Sequence, residues 1–386
     1  SVVKQKTAAS KGYREVNLAS SNIGSHKARG TSSGHVDAQT LERIEGKGPQ
    51  KKPGVEKSTL APGIQELVAT LYAEATHALT TTVSAKITAN GIETPLGVLT
   101  LGQIREGERI LEQLWAHFSQ GKGSHGDDEM ARLSGEFYTA IPHRIGRSRA
   151  AARMAVIDSH EEFEAKQETL QLMKDMLRVN GEAGNILYDS AVDQKYTALG
   201  IEIGWVEHGS SGFREISQHV VSSQIKSKNV RVTNIYTLRR KSEHEAFTEQ
   251  IGNQRLLFHG SRIQNWVGIL SRGILLPKIV VSMGVNRTDA GWLGHGIYFG
   301  DAACTSTFYT SPGRKGTRLM ALARVALGKT REYKQITYGL HAPPAGFDSC
   351  HGLRRRPGFA SDFDDDEYVI YRSQQQRLEY LVEFTA

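Results

Sequence analysis

Three short islands near the C-terminus hold residues that could do chemistry together: His259-Gly260-Ser261, Gly296-Ile297-Tyr298-Phe299 and Glu367-Tyr368-Val369-Ile370-Tyr371. Each sits in or beside a strand-like run, so one sheet can carry all three to a single cleft. A histidine, an aromatic platform and a lone carboxylate suit the holding of a dinucleotide and the polarising of one of its sugars. A carboxylate beside a sugar stabilises the positive charge that grows there as a bond to its C1 breaks. Gly260 lacks a Cβ, which lets a ligand approach its backbone closely. Asp364-Asp365-Asp366, just before Glu367, read as a solvated acidic loop.

The elements that must position these residues follow from pattern. From about residue 180 the chain turns β-rich: Val230 to Tyr236, Leu256 to Phe258, Leu319 to Leu327 closed by Gly328, Tyr368 to Tyr371 and Tyr380 to Phe384 read as strands. Ile263 to Leu270 reads as a short helix closed by Gly273. Residues 58–178 read as a helix bundle. Leu60 to Asn90 has helical spacing throughout. Thr100 and Gln103 form a capping box ahead of Ile104, Leu111, Leu114 and Phe118, and Gly121 ends that helix. Ser159 and Glu162 open another, striped by Phe163, Leu170, Met173 and Leu177. The fold class is therefore α+β: an all-helical bundle at 58–178, then a mixed, mostly antiparallel sheet domain at 179–386.

Composition narrows the setting. The chain has 386 residues and a net charge of +7, of which residues 1–57 carry +6, from eleven Lys/Arg and five Asp/Glu. That segment is rich in Ser, Gly, Lys and Ala and reads as a basic disordered linker. Basic residues without interleaved aromatics make direct DNA binding doubtful. Two cysteines, Cys304 and Cys350, imply no disulfide framework and point to a reducing nuclear or cytoplasmic setting. No apolar run is long enough to span a membrane, and no signal peptide is visible. No C-x-x-C or H-x-x-x-H spacing marks a metal site, and there is neither a Walker motif nor a G-x-G-x-x-G. Beginning at Ser1, the chain reads as a piece of something longer.

The segments LLFHGSRIQNWVGILSRGILLP, GHGIYFGDAACTSTFY and DDDEYVIYRSQQQRLEYLVEF resemble, in order and spacing, the three signatures of the poly(ADP-ribose) polymerase catalytic domain. TPLGVLTLGQI and FYTAIPHRIG resemble markers of that family's helical regulatory domain, so the resemblance covers residues 58–386. Within the family, GILLPKIVVSMGVNRTDAGWLGHGIYF and APPAGFDSCHGL look most like the vault-associated member. The resemblance implies NAD as co-substrate and no metal. It implies that His259, Tyr298 and Glu367 are catalytic, with His259 donating a hydrogen bond to the adenine-ribose 2′-hydroxyl. Gly260 and Ser306 would clamp the nicotinamide carboxamide, Tyr298 and Tyr309 would sandwich its ring, and Ser261 would reach the adenosine ribose. Where some members have a third tyrosine this chain has Gly291, and where some have a lysine it has Thr305. The loop from Leu276 to Leu293 would set acceptor preference.

The activity implied is transfer of ADP-ribose, mono or poly, to protein acceptors including the chain itself, with the helical part as a gate. Two other readings stand beside it. One is a module that binds NAD or ADP-ribose with little turnover. The other is a scaffold whose helices dock on a large ribonucleoprotein particle.

Overall fold

The computed structural model describes residues 58–122, 127–145, 155–181, 185–225, 229–276 and 291–386. The basic tail 1–57 and most of the loop Leu276 to Leu293 lie outside the described residues.

The chain opens with helix α1 (Pro62–Thr82), whose first-turn proline needs no hydrogen-bond partner for its missing N–H. The expected helical run to Asn90 stops at Thr82. The next residues form a small antiparallel meander of β1 (Lys86–Thr88), β2 (Gly91–Thr94) and β3 (Gly97–Val98). Thr81-Thr82-Val83 crowds a helix with β-branched side chains, and the Asn90-Gly91 pair supplies a hairpin turn, so local chemistry overrides the apolar spacing. Helix α2 (Leu101–His117) begins at the full Thr100/Gln103 capping box and loosens into a π turn at Phe118–Lys122, where Gly121 takes a positive φ. Helix α3 (Asp128–Ala140) is capped by Asp127. Helix α4 (His160–Asn180) is capped by Ser159, whose hydroxyl accepts from Glu162 N while the Glu162 carboxylate accepts from Asp158 N.

After α5 (Val192–Leu199) come β4 (Glu202–Trp205), α6 (Ser211–Ser222), β5 (Arg231–Arg239), α7 (Lys241–Ala246), β6 (Gln254–Gly260) and α8 (Trp266–Arg272). Then follow β7 (Ile297–Gly300), α9 (Ala303–Thr307), β8 (Arg318–Ala326), β9 (Thr330–Tyr333), β10 (Ser349–Gly352), β11 (Glu367–Ile370) and β12 (Gln376–Thr385). These strands make one sheet in the order β4-β5-β12-β8-β6-β7-β11-β10-β9. Every pairing is antiparallel except β9 with β10.

Strand β8 is buried on both faces, which is why Leu319 to Ala323 read as an apolar run rather than an alternation, broken only at Arg324. Leu319, Ala321, Ala323 and Val325 point to one side and join a core made with α1, α2, α3, α4 and α8. Met320 and Leu322 point to the other and meet Ile216 and Val220 of α6. The first cluster runs continuously from the helices into the sheet, so the helical part has no separate core of its own. Among the described residues no helix is long and apolar enough to cross a membrane.

Candidate active site

Register brings the three islands together. Strands β6, β7 and β11 are neighbours: Phe258 pairs with Gly300, Gly300 with Glu367, and Tyr298 with Val369. Side chains two apart on a strand share a face, so Tyr298 and Glu367 stand diagonally across the β7–β11 pair on one side of the sheet. His259 sits at the end of β6, and its Nδ1 lies 3.0 Å from the Tyr298 carbonyl oxygen. That oxygen only accepts, so Nδ1 carries the proton. Burial holds the imidazole below its ordinary pKa, so the ring is neutral near pH 7. Nε2 is then a hydrogen-bond acceptor.

His259, Gly260, Tyr298, Thr305, Ser306, Tyr309 and Glu367 line a small cavity of about 70 Å³. Gly260 is needed there for a reason the sequence did not reveal. A Cβ on it would lie 2.1 Å from the Ser306 carbonyl oxygen, so β6 and α9 meet backbone to backbone. Ser306 is buried, while Tyr309, just past α9, is half open to solvent. The Tyr298 hydroxyl is fixed at both ends, accepting from Leu293 N at 2.9 Å and donating to Gly294 O at 2.7 Å. Burial raises the Tyr298 phenol, so it stays neutral. The Glu367 carboxyl is raised to about 7, first by burial and then by the charge of Asp365.

A larger cleft of about 610 Å³ continues from this cavity, within the range that holds a cofactor-sized ligand. His259, Ser261, Asn265, Tyr298, Tyr309 and Glu367 form one side, and Glu164, Glu168, Gln171 and Asp175 of α4 form the wall opposite. Asp175 grips Arg272 of α8 through two hydrogen bonds of 2.7 and 2.8 Å, with Gly268 directly beneath it. Glu168 takes bonds of 2.7 Å from both Arg262 and Asn265, and Asn265 also donates to Ser261 Oγ at 3.2 Å. Two ionic ties therefore hold the helical part across the cleft mouth.

Comparison with known proteins finds matches to two parts of the chain. Residues 58–195 match the family model "Poly(ADP-ribose) polymerase, regulatory domain" and residues 210–386 match "Poly(ADP-ribose) polymerase catalytic domain". The chain belongs to the poly(ADP-ribose) polymerase family. It is 33% identical over 332 residues to "Protein mono-ADP-ribosyltransferase PARP4" of Homo sapiens, covering 86% of this chain and 18% of that protein. It is 29% identical over 330 residues to "Poly [ADP-ribose] polymerase 2" of Homo sapiens, covering 76% and 54%. Against "Protein mono-ADP-ribosyltransferase PARP3" of Gallus gallus the identity is 28% over 381 residues, covering 88% and 68%. The chain thus spans less than a fifth of the PARP4 relative.

Within this family framework one feature departs from expectation. Asp365 and Asp366 are not solvated. They are buried at 7% and 4% exposure and paired with Arg354 and His351, whereas Asp364 is exposed and paired with Arg355. Gly291, standing where some polymerase members have tyrosine, has a φ of 40° and no room for a side chain: a Cβ would lie 2.1 Å from the Tyr298 hydroxyl. Sequence reasoning also missed the α4 wall. Its signal was present as polar residues at helical spacing, Glu164, Glu168, Gln171 and Asp175, beside the apolar stripe. Arg354 left no such trace, because its three carboxylates come from the ends of two other strands, Asp301 after β7 and Asp365 and Asp366 before β11.

Proposed function

We propose that the chain is an NAD-dependent ADP-ribosyltransferase that cleaves the nicotinamide–ribose bond and passes ADP-ribose to a protein acceptor. One observation carries this reading: Glu367, Tyr298 and His259 line the same small cavity, and the carboxylate among them is poised near neutral pH. Tyr298 and Tyr309 offer flat apolar faces for the nicotinamide ring, and stacking at about 4.5–7 Å between centroids is the favourable arrangement. Gly260 and Ser306 line the same cavity and offer a carboxamide a backbone and a hydroxyl. His259 Nε2 accepts from a ribose hydroxyl and sets the register of the adenosine half.

NAD supplies a glycosidic bond whose electron pair leaves with neutral nicotinamide. Glu367 stabilises the positive charge that develops on the ribose. The same carboxylate then takes the proton of the acceptor hydroxyl as its oxygen bonds to C1, a role suited to a base near pH 7. A positively charged nicotinamide ring beside Glu367 favours its ionised form, drawing its pKa below the ligand-free value.

The α4 wall gives the helical part a gating role. Releasing it widens the adenosine side of the cleft, and an effector shifts that balance only through different affinity for the two states. Labelled NAD tests the assignment. Wild type should modify itself, and Glu367→Gln should lose transfer by about 10²–10³-fold, as removal of a group that stabilises developing charge does elsewhere. Equal transfer by the two proteins would remove Glu367 from the mechanism. The length of the product on a denaturing gel separates mono from poly transfer.

A further inference from the structure

We propose that Arg354 is a positioning residue for Glu367: its guanidinium pins the ends of β7, β10 and β11 together and so fixes where that carboxylate stands. The inference rests on the transferase reading and deepens it. Arg354 follows β10 by two residues and is only 11% exposed. Its Nη2 meets Asp301 Oδ1 at 2.8 Å, Nη1 meets Asp366 Oδ2 at 3.2 Å, and Nε stands 3.6 Å from Asp365 Oδ1. Its backbone N–H donates to Asp366 Oδ1 at 3.2 Å.

These three acids are not scattered. Asp301 directly follows Gly300, the register partner of Glu367, and Asp365 and Asp366 directly precede Glu367. One cation therefore holds the chain on both sides of the carboxylate. Behind it, His351 Nε2 lies 2.8 Å from Asp366 Oδ1, its ring stacks on Tyr368 at 4.1 Å, and Tyr368 accepts from Arg255 at 2.7 Å. Arg356 reaches Asp366 only at 3.7 Å from an exposed position.

The clamp acts on charge as well as place. Without it, buried carboxylates lose their main counter-ion, and a buried unpaired charge is costly. The nearest of those charges, Asp365, lies in the lead-in to Glu367 and bears on it directly. The other groups around Glu367 are neutral His259 of β6, the neutral phenols of Tyr298 and Tyr309, and His295 beside β7. Across the cleft stand Glu164 and Glu168 of α4 and the Asp175–Arg272 pair. Removing Arg354 therefore pushes Glu367 to ionise at higher pH.

The test compares wild type with Arg354→Gln, Arg354→Lys, Asp301→Asn and the double variant Arg354→Gln/Asp365→Asn in the 386-residue chain. NAD cleavage is followed from pH 5.5 to 9.5 with kcat and KM separated. Glu367 is titrated directly by carboxyl ¹³C NMR, assigned with Glu367→Gln. For Arg354→Gln, kcat at pH 7 should fall roughly tenfold or more, with the acid limb moved up by about one unit and KM for NAD nearly unchanged. Adding Asp365→Asn should bring the limb back, and Arg354→Lys should restore the limb but not the full kcat. An equal loss at every pH with an unmoved Glu367 titration would overturn the proposal. If Arg354→Gln does not fold, Arg354→Lys and Asp301→Asn decide it: kcat unchanged in both refutes the clamp. If wild type cleaves no NAD, the transferase reading fails, and the carboxyl titration alone judges the clamp.

Discussion

Glu367 is held at odds with its own stability. Its carboxyl titrates near 7 in the fold against about 4.5 when exposed, so the folded chain binds the extra proton between those values. Stability from this group is therefore full at low pH and declines as pH rises from about 4.5 to 7, by up to roughly 3 kcal/mol. Replacing it with a neutral isostere removes that cost. Glu367→Gln should melt a few degrees higher than wild type at pH 8 while losing transfer, and equal melting at pH 5 would locate the gain in the charge. A lower melting temperature at pH 8 would contradict the assigned burial. In wild type, kcat/KM should rise with pH through an acid limb near 7, since the ionised form does the work, and the limb in kcat should lie lower because bound NAD favours that form. Gly260→Ala is the steric counterpart. The new Cβ would strike the Ser306 carbonyl, so the variant should lose about 1–3 kcal/mol in denaturant titration and most of its NAD affinity.

At the scale of elements, α4 is the piece with two allegiances. Its apolar stripe belongs to the shared core, and its polar face walls the cleft. The two ties to the catalytic part differ in kind. Asp175–Arg272 is buried, so cutting it with Asp175→Asn should cost about 3–5 kcal/mol and lower amide protection along α4. The Glu168–Arg262 pair is more exposed, so Glu168→Gln should cost under about 1 kcal/mol. Both should lower KM for NAD, because each loosens the wall against which the dinucleotide must fit. Hydrogen exchange on α4 together with steady-state kinetics checks the pair, and an unchanged KM in both variants would remove α4 from the gate.

At the scale of the molecule, the helical part and the sheet are separate in sequence but share a core. Leu71 and Leu79 of α1 and Leu114 of α2 belong to the same buried cluster as Ile297, Leu319 and Leu381 of the sheet. The proposed division at about residue 178 is thus one of function more than of folding. A single cooperative transition is expected when residues 58–386 are unfolded in denaturant, with far-UV signal and tryptophan fluorescence coinciding. Two separated transitions would contradict that. Removing residues 58–178 uncovers the apolar face of β8, so the remainder should bind hydrophobic dyes and aggregate.

The signature islands, the two capping boxes and most of the long strands are legible in the sequence, because each depends on neighbours within a few residues. The meander after α1 was hidden because apolar spacing alone does not register β-branched crowding or the Asn-Gly turn. His259, Tyr298 and Glu367 were legible as candidates for one site; their common face, the proton on His259 Nδ1 and the near-neutral carboxyl come from register and burial. The same holds for Asp365 and Asp366. In sequence they are a run of acids, and only the fold brings Arg354 to them, because a guanidinium's partners are set by where three strands end and not by spacing along the chain.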